Sequence, residues 1–405
     1  MPTDGPQIVW RIDQAASAPP ARSFLPLLRA AVATRPDRSD LLRDLVVALR
    51  DDQRWAEIFD LLSPRIEEGG LTLTLRQELA QAAIACEQPE LALKVVDAAV
   101  DGTEPELRRQ RILALYALGR IEEARMAAVQ RLNEKPGDGT VLGAFANDCL
   151  TRGNAEALAA ICWKAIDGGV GSTVHLAYLS AALSLAGPMS DARRLVDFDR
   201  LCRRVELDST QVDNEELAQA ILMHPALAPS PEIRPTHGRN LRLEGLAGVK
   251  HPAILNLLAI VRRQVDEYLA ERFNEQHPLI ANRPKTAWLQ GWALVLSNDG
   301  HEETHIHSQG WLTVIYYARV PQGVSPNADT DAPPGSLTFG PWPPSIGGSR
   351  PDFPHWHVKP REGTLLIFPS FFGHGTVPTG VGDPRICVAL DVIPCDQGAT
   401  PLTID

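Results

Sequence analysis

An uneven spread of residue types and a 34-residue spacing predict an α+β multidomain chain, helical in its first half and built of short strands in its second. The first half is rich in Ala and Leu and poor in Pro, and of the 11 histidines only His175 precedes residue 220. The second half alternates β-branched or aromatic runs with Gly/Pro turns. At 405 residues the chain is long enough for about two or three domains. Its 44% hydrophobic and 22% charged residues suit a globular protein and exclude a disordered, collagen-like or coiled-coil chain.

Charge and segment character narrow the function classes. A net charge of −11, from 50 acidic against 39 basic residues, argues against nucleic acid as a general partner. No apolar run approaches the ~20 residues needed to cross a bilayer. The N-terminus lacks a basic start followed by an apolar core, so a cytoplasmic protein with no signal peptide and no membrane association is expected. The six cysteines form no CxxC pair, which fits reduced, mostly buried thiols.

The helical half carries the repeat. Gly119, Gly153 and Gly187 stand 34 residues apart, and each precedes Ala124, Leu158 or Ala192 by five residues, in GRIEEA, GNAEAL and GPMSDA. A turn glycine between two amphipathic helices, with a small or aliphatic residue where the second helix meets the first, is similar to tetratricopeptide repeats. Weaker, off-period copies occur at 50–56 and 86–92. Helix pairs with incomplete cores stack into a superhelix, whose concave face suits an extended peptide. The alternative is that the repeats only support the second domain or a homodimer. Arg193, Arg194, Arg200, Arg203 and Arg204 alternate with acids at the end of this region and read as a solvated helix face. The expected domains are therefore a tetratricopeptide-like unit over 1–207, a Pro-rich connection over 208–245 and a barrel over 246–405.

Strands follow in order after residue 285. TAWLQGWALVLS (286–297) closes at the turn NDG, and WLTVIYYARVP follows HEETHIHSQG. GSLTFGPW (335–342), the buried run in PREGTLLIFPS (360–370) and RICVALDVI (385–393) complete the set. In the last strand Arg385, Cys387, Ala389 and Asp391 share one face and the aliphatic residues the other. Short antiparallel strands with two histidine clusters argue for a double-stranded β-helix, a cupin-like jelly roll. There early and late strands meet, so His305, His307 and His374 can converge on one ion. Imidazoles suit iron, zinc, copper or nickel.

These blocks resemble one family. GHEETHIHSQGWLTVIYYARVP, GSLTFGPW, EGTLLIFPSFFGHGTVP and DPRICVALDV are similar to successive segments of the Fe(II)/2-oxoglutarate-dependent oxygenases that carry HxH near a tandem tyrosine, over roughly residues 220–395. Bacterial members often carry tetratricopeptide repeats in front. The resemblance implies Fe(II), 2-oxoglutarate and O2 as cofactor and co-substrates, with His305, His307 and His374 on the iron. It implies Arg385 as the two-pronged partner of the distal carboxylate of 2-oxoglutarate, with the Tyr317 hydroxyl beside it. Thr313, Val314 and Cys387 depart from the serine or glycine more usual in the family.

Alternatives stay open at this point. Most such oxygenases use two histidines and a carboxylate, and His301-x-Glu303 offers that form. His355-Trp356-His357 is another HxH but stands too close to His374 in sequence to meet it across a barrel. Trp292, Trp311 and Trp342 are candidates for the substrate entrance or for the core, Trp292 and Trp311 being preferred at the entrance. The expected activity is hydroxylation of a C–H bond on a peptide or protein side chain captured by the repeats. The competing readings are a small-molecule hydroxylase acting on an amino acid or natural product, a repeat scaffold with a vestigial barrel, and a three-histidine cupin enzyme without 2-oxoglutarate.

Overall fold

The computed structural model describes residues 7–11, 24–66, 71–98, 104–230, 236–272, 276–322, 324, 332–340, 342–343, 346, 353 and 355–395. The prolines at 231–235 lie outside them. Contacts group the chain into two compact units, Ser17–Asp148 and Met1–Ala16 with Cys149–Asp405. The expected boundary near 207 follows composition, whereas the contacts follow a different line. Among the described residues no helix is long and apolar enough to cross a membrane.

The Ser17–Asp148 unit is a run of antiparallel helices: α1 (Leu25–Thr34), α2 (Ser39–Asp51), α3 (Trp55–Leu62), α4 (Leu73–Ala85), α5 (Pro89–Asp97), α6 (Pro105–Ala117) and α7 (Ile121–Glu134). α8 (Gly139–Thr151) crosses the boundary. The helices interlock through a shared apolar core that includes Leu45, Leu49, Ile58, Leu79, Ala83, Ala92 and Val95. Gly119 and Gly153 adopt left-handed backbone at the turns, with φ of 70° and 73°. Around Gly119, the Gly119 N–H donates to Tyr116 O and the Arg120 N–H to Leu115 O, the paired bonds that close a helix C-terminus. Gln53 (φ 53°) and Glu87 (φ 58°) occupy the same left-handed position and make the same pair of bonds, to Arg50 and Leu49 and to Ile84 and Ala83. The copies at 50–56 and 86–92 are therefore full members of the series whose turn residue is not glycine. Ala124, Leu158 and Ala192 are all fully buried, as close helix approach requires. Gly187 departs from the pattern, with extended backbone (φ −133°) before Pro188.

The other unit holds α9 (Ala155–Asp167), α10 (Thr173–Ala186), α11 (Met189–Leu195), α12 (Phe198–Leu201), α13 (Asn214–Leu222), α14 (Pro252–Arg272) and α15 (Pro278–Ala281). Its strands are β1 (Val9–Trp10), β2 (Arg203–Glu206), β3 (Ala228–Pro229), β4 (Thr236–Leu243), β5 (Thr286–Glu302), β6 (Leu312–Arg319), β7 (Leu337–Phe339), β8 (Trp356–Val358), β9 (Thr364–Pro369), β10 (His374–Thr376) and β11 (Arg385–Pro394). Two sheets result, one ordered β2-β9-β6-β11-β5-β4-β3 with β1 beside β5, the other β10-β7-β8. Apart from β1, all pairings are antiparallel. β2 and β4, both N-terminal to residue 246, are strands of the large sheet. α14 buries Ile254, Leu257, Leu258, Val261, Val265, Tyr268 and Leu269, one stripe of a 3.6-residue period.

Register decides which side chains share the functional face. Arg385, Cys387 and Ala389 on β11 stand opposite Leu296, Leu294 and Trp292 of β5. Across the other edge Cys387, Ala389 and Asp391 stand opposite Tyr317, Ile315 and Thr313 of β6. A one-residue slip of β11 would send Arg385 and Asp391 to the far side together.

Two predictions concern stability. A non-glycine residue in left-handed backbone costs about 1–2 kcal/mol, part of which returns as unfolded-chain entropy when glycine replaces it. Gln53→Gly and Glu87→Gly are therefore each expected to stabilise the helical unit by roughly 0.5–1 kcal/mol in urea unfolding. His277 responds to acid. Burial pushes its pKa down to about 4. Its Nδ1 accepts from the Leu279 N–H (3.1 Å) and its Nε2 lies 3.1 Å from Leu195 O. Protonation would convert that acceptor into a donor facing an N–H. An unfolded histidine titrates near ~6.5, so this stability is present above pH ~6.5 and is lost as pH falls toward 4, by up to about 3 kcal/mol. Unfolding at pH 7 and 4.5 is expected to show the loss, and His277→Gln to shrink it.

Candidate metal centre and co-substrate pocket

The segment between β5 and β6 carries His305 and His307, and β10 opens at His374. His305 and His374 form an isolated antiparallel bridge, each N–H donating to the other's carbonyl at 2.9 and 3.0 Å. The His307 N–H donates to Ser370 O (3.0 Å). Gly375 permits this approach, since a Cβ there would meet Glu302 O and Thr304 N at 3.0 Å. Backbone hydrogen bonds thus bring the three imidazoles together, with ring centroids 4.6–5.1 Å apart.

Each ring is oriented from behind. His305 Nδ1 faces Glu303 O at 2.7 Å, His374 Nδ1 faces Phe372 O at 2.9 Å, and His307 Nδ1 faces Asp391 Oδ1 at 2.6 Å. These acceptors place the proton on Nδ1 and turn the Nε2 lone pairs inward. Burial pushes the pKa of His305 down and that of His374 well below the usual histidine value, which favours neutral rings. The Nε2 atoms of His305 and His307 lie 3.1 Å apart. Two lone pairs at that distance repel unless a cation or proton lies between them. One donor atom from each of the three histidines falls within 4.8 Å of the others.

Beside this cluster lies a cleft lined by Leu294, Leu296, Glu302, His307, Ile315, Tyr317, Leu337, His374, Cys387, Ala389 and Arg385. Arg385 is fully buried. Its Nη1 donates to Gly335 O, while Nε and Nη2 have no partner. Buried guanidinium donors left unpaired are costly, and a carboxylate is their shaped complement. Tyr317 is buried as well, and burial raises its pKa, so the phenol stays protonated. Burial raises the Cys387 thiol to about 11, against the opposing pull of Arg385.

The other expected residues are distributed differently. Glu303 is exposed, and its backbone carbonyl faces His305 Nδ1. His301 Nδ1 faces Asp299 O (2.8 Å), apart from the three-histidine cluster. His355 and His357 are exposed, His357 on β8. The Trp292 ring lies 5.3 Å from that of His307, beneath the Arg242 guanidinium at 4.5 Å, and its Nε1 has no partner. Trp311 is buried and donates its indole N–H to Leu279 O (3.0 Å), so it braces α15. Trp342 is buried against Phe353. Sequence reasoning passed over Asp391, Thr313, Ser370, Arg242 and Glu302 as functional residues. The two-residue alternation of β11 already set Asp391 on the face of Arg385.

Residues 290–391 match the family model described as "Putative 2OG-Fe(II) oxygenase". This segment belongs to the 2OG-Fe(II) oxygenases. No curated protein matches the chain. Among solved structures, a Pseudomonas putida prolyl-4-hydroxylase is similar at 14% identity, over 49% of this chain and 96% of that one, with a TM-score of 0.34. A Trichoplax adhaerens prolyl hydroxylase in complex with a hypoxia inducible factor peptide fragment matches at 15% identity over 50% and 88%, with a TM-score of 0.35. The TPR protein YrrB, described as having an unusual peptide-binding site, matches at 20% identity over 36% and 77%, with a TM-score of 0.31.

The oxygenases of this family use Fe(II), 2-oxoglutarate and O2, and the residues present fit that set. Three inward Nε2 atoms, two of them 3.1 Å apart, suit a transition metal. The orphaned N–H groups of Arg385 suit a dicarboxylate. His305→Ala, His307→Ala and His374→Ala are each expected to weaken Fe(II) binding by at least tenfold in anaerobic titration, and Glu303→Ala to leave it unchanged. The reverse pattern would move the centre to His301 and Glu303.

Proposed function

We propose that the oxygenase hydroxylates a C–H bond on a peptide or protein side chain delivered by the helical repeats. His305, His307 and His374 would hold Fe(II) through Nε2, and Arg385 with Tyr317 would hold the distal carboxylate of 2-oxoglutarate. One observation carries the reading: a buried guanidinium with two unpaired donor groups shares a cleft with His307 and His374, two of the three converging imidazoles. The run of tandem helical hairpins supports a polypeptide substrate.

The protein's own work is binding, orientation and exclusion of water. Glu303 O, Phe372 O and Asp391 fix the three rings. Arg385 presents Nε and Nη2 as a fork, a geometry that matches the two oxygens of a carboxylate. Leu294, Leu296, Ile315 and Ala389 wall the cleft, and these apolar side chains would desolvate a co-substrate held there. Trp292, whose ring lies 5.3 Å from that of His307, is the candidate for contact with a substrate. Bound iron with 2-oxoglutarate and O2 supplies the oxidising power for C–H hydroxylation, with succinate and carbon dioxide as co-products.

The test incubates a cell lysate with the intact enzyme, Fe(II), 2-oxoglutarate and isotopically labelled O2. Mass spectrometry then reads label in the protein and small-molecule fractions separately. Label on protein side chains is expected; succinate takes one oxygen atom in every turnover, so label on a small molecule other than succinate, with none on protein, would establish the alternative substrate class. Arg385→Ala serves as the specific control. Breaking a buried bidentate pair costs on the order of 3–5 kcal/mol, so 2-oxoglutarate affinity is expected to fall more than a hundredfold. Fe(II) affinity should change little, and unchanged 2-oxoglutarate affinity would remove Arg385 from the anchor role.

A further inference from the structure

From the structure we infer that Asp391 supplies the negative charge of the metal centre from behind the ligands, acting through His307 as a positioning residue that sets iron affinity and reduction potential. The inference rests on the proposed ligand set. Three imidazole ligands would bring no negative charge to a divalent cation held among them. Asp391 is 5% exposed, and its carboxylate accepts from His307 Nδ1 at 2.6 Å. Among the described residues its ion-pair partner is His307. A buried carboxylate with no lysine or arginine paired to it needs positive charge nearby. A cation held on the opposite nitrogen of the His307 ring would provide it.

The surroundings are built to this contact. Thr313 Oγ1 donates to Asp391 Oδ1 (2.8 Å) and lies 2.8 Å from Ser370 Oγ. Ser370 O in turn takes the His307 N–H. Gly310 leaves the necessary room, because a Cβ there would meet Ser370 Oγ at 2.5 Å and Asp391 Cγ at 3.2 Å. One hydroxyl pair, one missing side chain and one backbone bond therefore hold the carboxylate and the ring in a single geometry. A carboxylate on the Nδ1–H raises the basicity of Nε2 and strengthens its donation. It favours the more highly charged ferric ion over the ferrous one, and so lowers the potential.

The test compares full-length wild type with Asp391→Asn, which keeps the size and the acceptor oxygen but loses the charge. Anaerobic titration is expected to show Fe(II) dissociation raised about 10–100-fold. Redox titration is expected to show a higher potential, by about 59 mV for each tenfold by which Fe(III) loses more affinity than Fe(II). Thr313→Val provides a second variant of opposite sign. Losing the hydroxyl donor leaves the carboxylate a stronger acceptor toward His307, so the potential should fall, whereas a merely structural defect would weaken binding in both variants. A folded Asp391→Asn with wild-type affinity and potential overturns the inference. So does an unfolded Asp391→Asn together with a Thr313→Val protein at the wild-type potential. Wild type that binds no stoichiometric Fe(II) overturns the ligand set as well, which separates the two failures.

Discussion

The functional face depends on one backbone contact, the antiparallel bridge between His305 and His374. Neither residue is brought near the other by sequence, and neither imidazole makes the contact itself. Peptide N–H and carbonyl groups do so, and the side chains then point where the bridge leaves them. This separates assembly of the site from its chemistry. The rings can be tuned by whatever lies behind each Nδ1, a carbonyl for His305 and His374 and a carboxylate for His307, without disturbing the frame. It also explains the demand for glycine at 375, where any side chain would push the two segments apart.

Charge inside the barrel is divided rather than pooled. Arg385 is nearly free of partners, whereas Arg242, only 6% exposed, is held by Glu244 at 2.6 Å and approached by Glu302 at 3.6 Å. A compensated arginine is a wall and an uncompensated one is a receptor. Arg242 lies over Trp292 at 4.5 Å, and the Trp292 ring lies 5.3 Å from that of His307, so a paired guanidinium and an indole pack beside the three imidazoles.

How much of this could be read from sequence depended on the range over which each signal acts. HxH, His374 and the alternation of β11 are local patterns, and they yielded the converging imidazoles and the buried Arg385. The turn glycines yielded the helical period, but at Gln53 and Glu87 only weaker, off-period copies showed, because the backbone there takes a left-handed conformation that those side chains do not advertise. β2, β4 and the bracing role of Trp311 are settled by partners far away in the chain, and no local pattern announces them. Asp391 sat on the correct face from the start. What the sequence lacked was the register that sets it opposite Thr313 and therefore behind His307.

The pair of nitrogens 3.1 Å apart has a consequence for cellular supply. A set of imidazole donors ranks divalent metals in the order iron, cobalt, nickel, copper, with zinc below copper and above iron. Iron is thus the weakest competitor for this nest among the common borderline ions. Occupancy by the metal that reacts with oxygen is then governed by which ions are abundant and exchangeable when the chain folds. A pool rich in free zinc would leave well-folded, stable and silent molecules. Output of such a centre would then follow metal supply as well as the amount of protein.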